Sequence, residues 1–203
     1  RLLSRGLGDV YKRQALDMQF EHAHQRLQDF SIAQAEWAAS GWRIQGVEQS
    51  DMALQLKTEQ GPVAIHGRFD RLDYHPEEDR WMLLDYKSSD AGLAPEETHR
   101  QKKRDWIDLQ LPLYYWMLRG SDPDKVKVDV GYVVLSRDSD KNGFKVADWG
   151  PEVFQSALDR AEEIATLIVG GEFWPPAKFS ASEQRYDEFD ALLTLPSSND
   201  SNF

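Results

Sequence analysis

The residues best suited to chemistry stand in three short runs. "GRFDRLD" covers Gly67 to Asp73, "RWMLLDYKSS" covers Arg80 to Ser89, and "DLQLPLYYWML" covers Asp108 to Leu118. In the second run the apolar stretch Trp81 to Leu84 ends in Asp85, and Lys87 follows two residues later. Residues i and i+2 of a strand share a face, so Asp85 and Lys87 project together and Tyr86 points the other way. The turn His75-Pro76-Glu77-Glu78-Asp79 makes the first two runs a hairpin, which sets Asp70 near Asp85 across the pair. Two neighbouring carboxylates repel unless something positive lies between them. Hard divalent cations such as Mg²⁺ or Mn²⁺ are held by such oxygens, with waters and substrate phosphates completing the shell. A lysine beside the cation stabilises charge on a phosphate or orients an attacking water. The set is equipped for metal-assisted hydrolysis of a phosphodiester. Spacing alone equally allows a structural role, a cross-strand ion pair of Asp70 or Asp85 with Lys87 at a sheet end.

The elements that must position these residues follow from periodicity. Ala15 to Ala39 is helical, with Leu16, Phe20, Ala23, Leu27, Phe30 and Gln34 stepping by three or four and Gly41 as the stop. Strands are expected over Trp42 to Glu48, Met52 to Lys57, Val63 to Asp73 and Arg80 to Lys87, an antiparallel meander punctuated by Gly61-Pro62 and the Pro76 turn. The polar stretch Ser88 to Asp105 reads as a long loop or a frayed helix, and Ile107 to Leu118 returns to helical spacing. A strand over Val126 to Leu135, a turn over Asp138 to Gly143 and a short strand over Phe144 to Trp149 follow. Glu152 to Val169 is an amphipathic helix, opened by Pro151 and closed by Gly170-Gly171. The expected fold is α/β: a mixed central sheet built on an antiparallel meander and flanked by helices.

Composition sets bounds. The chain has 203 residues, 40% of them hydrophobic, with seven Trp, seven Tyr and nine Phe, which is enough for the core of one domain. It has no cysteine, which excludes disulfides, thiolate metal sites and iron–sulfur ligation. No stretch has the length of a membrane span and no signal-peptide pattern occurs, so the expected partners include no membrane and the expected location is cytoplasmic. The net charge of −11 has the wrong sign for a freestanding nucleic-acid binder. Residues 1–14, RLLSRGLGDVYKRQ, are basic and aperiodic and resemble translated sequencing-adaptor read-through. They are set aside as a non-native or disordered leader, with one domain over residues 15–190 and a disordered polar tail over residues 191–203.

In order and spacing the three runs resemble the PD-(D/E)XK nuclease superfamily, and more narrowly the nuclease domain of the RecB and AddB type found on helicase–nuclease repair enzymes. The shared pattern is G-x-x-D-R-x-D, an apolar strand ending in D-Y-K, and Q-x-x-x-Y opening the next helix. Here Asp70 and Asp85 are fifteen residues apart, and the likeness covers Trp42 to Arg119. It implies a restriction-endonuclease-like core and a Mg²⁺- or Mn²⁺-dependent deoxyribonuclease. Asp70 and Asp85 would be metal ligands together with the backbone carbonyl of Tyr86, and Lys87 the catalytic lysine. Gln110 and Tyr114, four apart on one helix face, would line the cleft or meet the DNA. Gly67 would admit close backbone approach. The implied partners are DNA, as a single strand, and a helicase subunit or domain. The implied process is double-strand break repair by end resection. The alternative is a catalytically inactive nuclease-fold module for DNA binding or scaffolding, against which the intact D…D-x-K set argues.

Two departures from the pattern stand out. Such domains carry a further His or Glu on an N-terminal helix, whereas Glu21, His22, His24 and Glu36 here lie outside the expected context. His22 and His24, two apart on a helix, do not share a face. Some relatives also clamp their end with an iron–sulfur cluster; the resemblance implies that this chain, without cysteine, would be the cluster-free variant. Glu48, ending "WRIQGVE", reads as a supporting residue near metal or DNA or as a strand-end surface residue. The basic run "HRQKKR" contributes Arg100, Lys102, Lys103 and Arg104 as candidate phosphate contacts. Their local field answers in part for the overall charge, and a module fed by a motor need not capture DNA alone.

Overall fold

A computed structural model describes residues 3–101, 105–120 and 127–172. Helix α1 (Leu3–Ala39) leads into strands β1 (Arg43–Leu56), β2 (Val63–His75) and β3 (Arg80–Lys87). A short helix α2 (Pro95–His99) and a small hairpin of β4 (Arg100–Gln101) and β5 (Asp105–Trp106) precede α3 (Gln110–Arg119). Strands β6 (Lys127–Val134) and β7 (Gly143–Val146) and helix α4 (Pro151–Val169) follow. The five-stranded sheet has the order β1-β2-β3-β6-β7. β1, β2 and β3 form the antiparallel meander, β6 lies parallel to β3, and β7 returns antiparallel on β6. The mixed α/β architecture expected from the sequence is the one observed.

Strand alternation divides the sheet between two apolar layers. Met82 and Leu84 of β3 join Trp42 and Val133 beneath α1, where Trp37 stacks on Trp42 at 4.9 Å and on Phe144 at 4.2 Å. Leu83 points the other way, into a cluster with Phe69, Leu72, Leu111, Tyr132 and Phe154 beneath α3 and α4. Tyr115 lies buried on Phe154 at 3.7 Å. β6 is almost wholly buried, as its run "VDVGYVV" requires of a strand covered on both faces. The apolar stripe of α1 meets the sheet only in its second half: Phe30 and Trp37 pack, while Leu16, Phe20 and Leu27 are exposed.

The differences from expectation have local causes. The two strands expected around residue 50 are one strand, because β1 pairs with β2 along its whole length and register shifts between Ile44 and Gly46 and between Gln49 and Met52 absorb extra residues. Glu48 beside the second shift takes a φ of 53°. The stretch expected as a loop or frayed helix holds α2, β4 and β5, each too short to leave a period. β7 ends at Val146, and Trp149 packs edge-on against His99 and Phe154 instead of extending the strand. α1 is helical through residues 3–14 as well as 15–39. The expected disordered tail at 191–203 lies outside the described residues. Among the described residues no helix is long and apolar enough to cross a membrane.

Candidate active site

The site grows from a divergence in the sheet. Arg71 pairs with Leu84 at the end of the β2–β3 ladder. Beyond it β2 continues against β1 alone, while β3 continues beside β6. Asp70 and Asp85 stand one step past that last pair. There the Tyr86 N–H finds the Asp70 carboxylate, donating to Oδ2 at 3.0 Å. Across the parallel ladder Asp85 lies opposite Tyr132, and Lys87 opposite Val134.

Lys87 Nζ lies 2.7 Å from Asp85 Oδ2 and 3.5 Å from Gln110 Oε1. Its ammonium sits 5.0 Å from the centroid of the Tyr132 ring, a cation–π contact. The Gln110 amide donates in turn to Tyr114 OH at 3.2 Å. Asp108 Oδ1 accepts the Gln110 N–H at 2.7 Å, which satisfies an amide at the first turn of α3. Tyr114 packs edge-on against Phe69 at 4.9 Å. Gly67 is what lets α3 sit this close: a Cβ there would lie 2.5 Å from Met117 Sδ and 3.0 Å from Tyr114 Cε1. The structure thus gathers Asp85, Lys87, Gln110 and Tyr114 in one chain of contacts. Asp70 joins it through the Tyr86 amide.

Asp85 is buried, and loss of solvation pushes its carboxyl above the ordinary aspartate range. The Lys87 ammonium opposes that shift, and the nearby charges of Asp70 and Asp108 add to it. Asp85 Oδ2 touches Lys87 as an ion pair but has no aligned hydrogen-bond donor. A buried carboxylate oxygen with spare capacity, next to a second carboxylate, fits a hard divalent cation that takes one or two protein oxygens and keeps its waters. Among the described residues no group of three or more His, Cys, Asp or Glu side chains is arranged to hold a metal.

The other half of "GRFDRLD" serves the opposite face. Arg71 donates to Asp73 through Nε at 2.7 Å and Nη2 at 2.6 Å, and through Nη1 to Gln34 Oε1 at 2.5 Å. Trp37 Nε1 donates to the same Asp73 carboxylate at 2.7 Å. The motif therefore splits, with Asp70 beside Tyr86 and Asp85 at the divergence of β2 and β3, and Arg71 and Asp73 tying α1 to the sheet.

The remaining candidates are placed as follows. The Arg100 guanidinium lies 5.2 Å from the Trp106 ring centroid, and Trp106 Nε1 donates to Ser156 Oγ on α4 at 3.0 Å. Lys102, Lys103 and Arg104 lie outside the described residues. Glu48 is exposed and engaged by Arg68. His24 is exposed, and His22 lines a surface cavity with Arg26, Ser88, Leu135 and Arg137. Sequence reasoning passed over His99 and Tyr132, both buried, whose Nε2 and OH lie 2.6 Å apart beneath Lys87. A lone tyrosine in the aliphatic run "VGYVVL" was the available signal; His99, in a polar run, offered none.

A profile of the PD-(D/E)XK nuclease superfamily matches residues 2–183, and the chain belongs to that family. Its members are typically nucleases and generally use divalent metal ions. No curated protein matches the chain. Among solved structures, one titled "Crystal structure of SSO0001" is similar at 14% identity and a TM-score of 0.35, over 78% of this chain and 67% of that one.

Proposed function

We propose that this chain is a divalent-metal-dependent deoxyribonuclease domain of the RecB and AddB type. In this reading it cuts single-stranded DNA delivered by a helicase during double-strand break repair. The observation that carries the reading is the chain of contacts from Asp85 through Lys87 to Gln110 and Tyr114, beside Asp70, in a member of a nuclease family. Asp70 and Asp85, with the Tyr86 carbonyl, would hold Mg²⁺ or Mn²⁺. A cation there supplies Lewis acidity toward a phosphodiester. Lys87 donates to a non-bridging phosphate oxygen, or to the attacking water, where charge builds in the transition state. Gln110 holds the Lys87 ammonium on the cleft side of Asp85, and Tyr114 holds Gln110. Arg100, with Lys102, Lys103 and Arg104, contacts phosphates and keeps the strand in register.

The test has two arms. Calorimetry of the full chain with Mg²⁺ in low salt shows binding that disappears in Asp70→Ala. Cleavage of a labelled single-stranded oligonucleotide by the same preparation falls at least about a hundredfold in Lys87→Ala, with Mg²⁺ binding retained. Binding that survives Asp70→Ala unchanged, or cleavage that survives Lys87→Ala, sinks the assignment. No binding and no cleavage by the wild-type chain returns the Asp85–Lys87 contact to a structural ion pair.

A further inference from the structure

His99 closes α2 and is wholly buried, at 0% exposure. Its main chain and side chain both hold the start of the α3 segment. The His99 carbonyl accepts the N–H groups of Ile107 at 3.0 Å and Asp108 at 3.4 Å. The imidazole Nδ1 lies 2.9 Å from the Asp108 carbonyl oxygen. A carbonyl can only accept, so Nδ1 carries the proton and, in a neutral ring, Nε2 is left as an acceptor. Nε2 faces Tyr132 OH at 2.6 Å, and that hydroxyl donates to it. Thr98 Oγ1 is the other neighbour of the phenol, at 2.8 Å. Burial holds the imidazole below its ordinary range and the phenol above its own, in keeping with a neutral ring and a protonated hydroxyl. The Asp108 carboxylate, 3.4 Å from Nδ1, opposes the downward shift of the imidazole, and Lys87, whose ammonium lies over the Tyr132 ring, adds to it; burial outweighs the rest.

The two ends of this bridge meet Lys87 from different sides. Tyr132 presents its ring beneath the ammonium. Asp108 receives the Gln110 N–H and so fixes the first residue of α3, whose side-chain oxygen faces Lys87. Neither surface comes from the strand that carries Lys87. One buried side chain joins the two elements that do supply them.

We propose that His99 is the positioning residue of this site: by bridging Tyr132 and Asp108 it fixes the Tyr132 ring and the Gln110 amide between which the Lys87 ammonium is held. The proposal rests on the reading of Lys87 as the lysine of a nuclease site. His99→Asn keeps a donor near the Asp108 carbonyl but removes the acceptor for Tyr132. Tyr132→Phe keeps the ring but removes the donor. Both break one and the same link, so their effects overlap in a double-mutant cycle.

The experiment uses the full chain, with and without Mg²⁺, and a single-stranded oligonucleotide as substrate. Each single variant lowers kcat about tenfold with KM nearly unchanged, the scale of losing an orienting partner, and the double variant loses no more than either alone. Losses that multiply, or a change confined to KM, overturn the proposal. A second readout needs no catalysis. Nitrogen-15 spectra show His99 as the Nδ1–H tautomer, and Tyr132→Phe moves both the His99 Nε2 resonance and the Gln110 side-chain amide. A Gln110 signal that stays put in that variant overturns the proposal whether or not the wild type cleaves DNA. A wild type that fails to cleave, with the Gln110 signal moving as stated, defeats the nuclease reading alone and leaves the bridge standing.

Discussion

The burial of Asp85 carries a cost in stability that pH can read. Its carboxyl is raised by burial, so the charged form is worse off in the folded protein than in the unfolded chain. The sign follows from linkage. A carboxyl with a raised folded pKa makes the protein less stable once pH climbs past the unfolded value, and that loss is complete above the folded one. At neutral pH and without metal, Asp85→Asn is therefore more stable than wild type, because Lys87 is partly exposed and tolerates losing its partner. The gap in melting temperature closes as pH is lowered through the Asp85 titration. Mg²⁺ then raises the melting temperature of wild type and leaves Asp85→Asn where it was, since a bound cation inverts the cost of the charge. A variant less stable than wild type at pH 7 contradicts this account. At this scale the legible residues were those in strands. Asp85 and Lys87 stood out by period-two spacing after an apolar run, and Asp70 by the turn that pairs its strand with theirs. His99 did not, because its importance lies in two partners, nine and thirty-three residues away, that no local pattern encodes.

Among the elements, β2 works on both of its faces, and its two duties can be separated. Arg71 and Asp73 are 1% and 0% exposed, and together with Trp37 and Gln34 they form the polar seam between α1 and the sheet. Removing one partner of a buried pair strands the other charge, at a cost of about 3–5 kcal/mol. Asp73→Ala is thus expected to lower unfolding free energy by that amount in urea titrations, whereas Asp70→Ala, at a half-buried position with no ion-pair partner to strand among the described residues, changes it by less than about 1 kcal/mol. Equal losses in the two variants would show that the division of labour within "DRLD" is wrong. The meander and α4 were readable because each is long enough to repeat its own period several times. The segment between β3 and α3 was not, because a five-residue helix and two-residue strands are held by tertiary bonds. Glu96 of α2 accepts the Asp148 N–H at 2.6 Å, and Trp106 ties β5 to α4.

For the whole molecule the difficulty is charge: a net −11 must coexist with a polyanionic substrate. The structure offers a local answer in Arg100, whose guanidinium lies over the Trp106 ring on a hairpin anchored to α4. A guanidinium already placed over an indole loses less freedom when it binds a phosphate. A protein whose overall field repels DNA gains from a few fixed contacts more than from long-range steering, so its affinity for single-stranded DNA should lie in the nonspecific range, about 10⁻⁴ to 10⁻⁶ M at physiological salt. Each phosphate neutralised on a single strand contributes roughly 0.7 to the slope of log affinity against log salt. Measured by fluorescence anisotropy in chelator, so that no strand is cut, Arg100→Ala should weaken binding and flatten that slope by about 0.7. Trp106→Leu should weaken binding with the slope retained, because the charge remains and only its placement is lost. A slope unchanged by Arg100→Ala would mean that Arg100 touches no phosphate, and would shift the burden of DNA contact to Lys87 and the rest of the basic run.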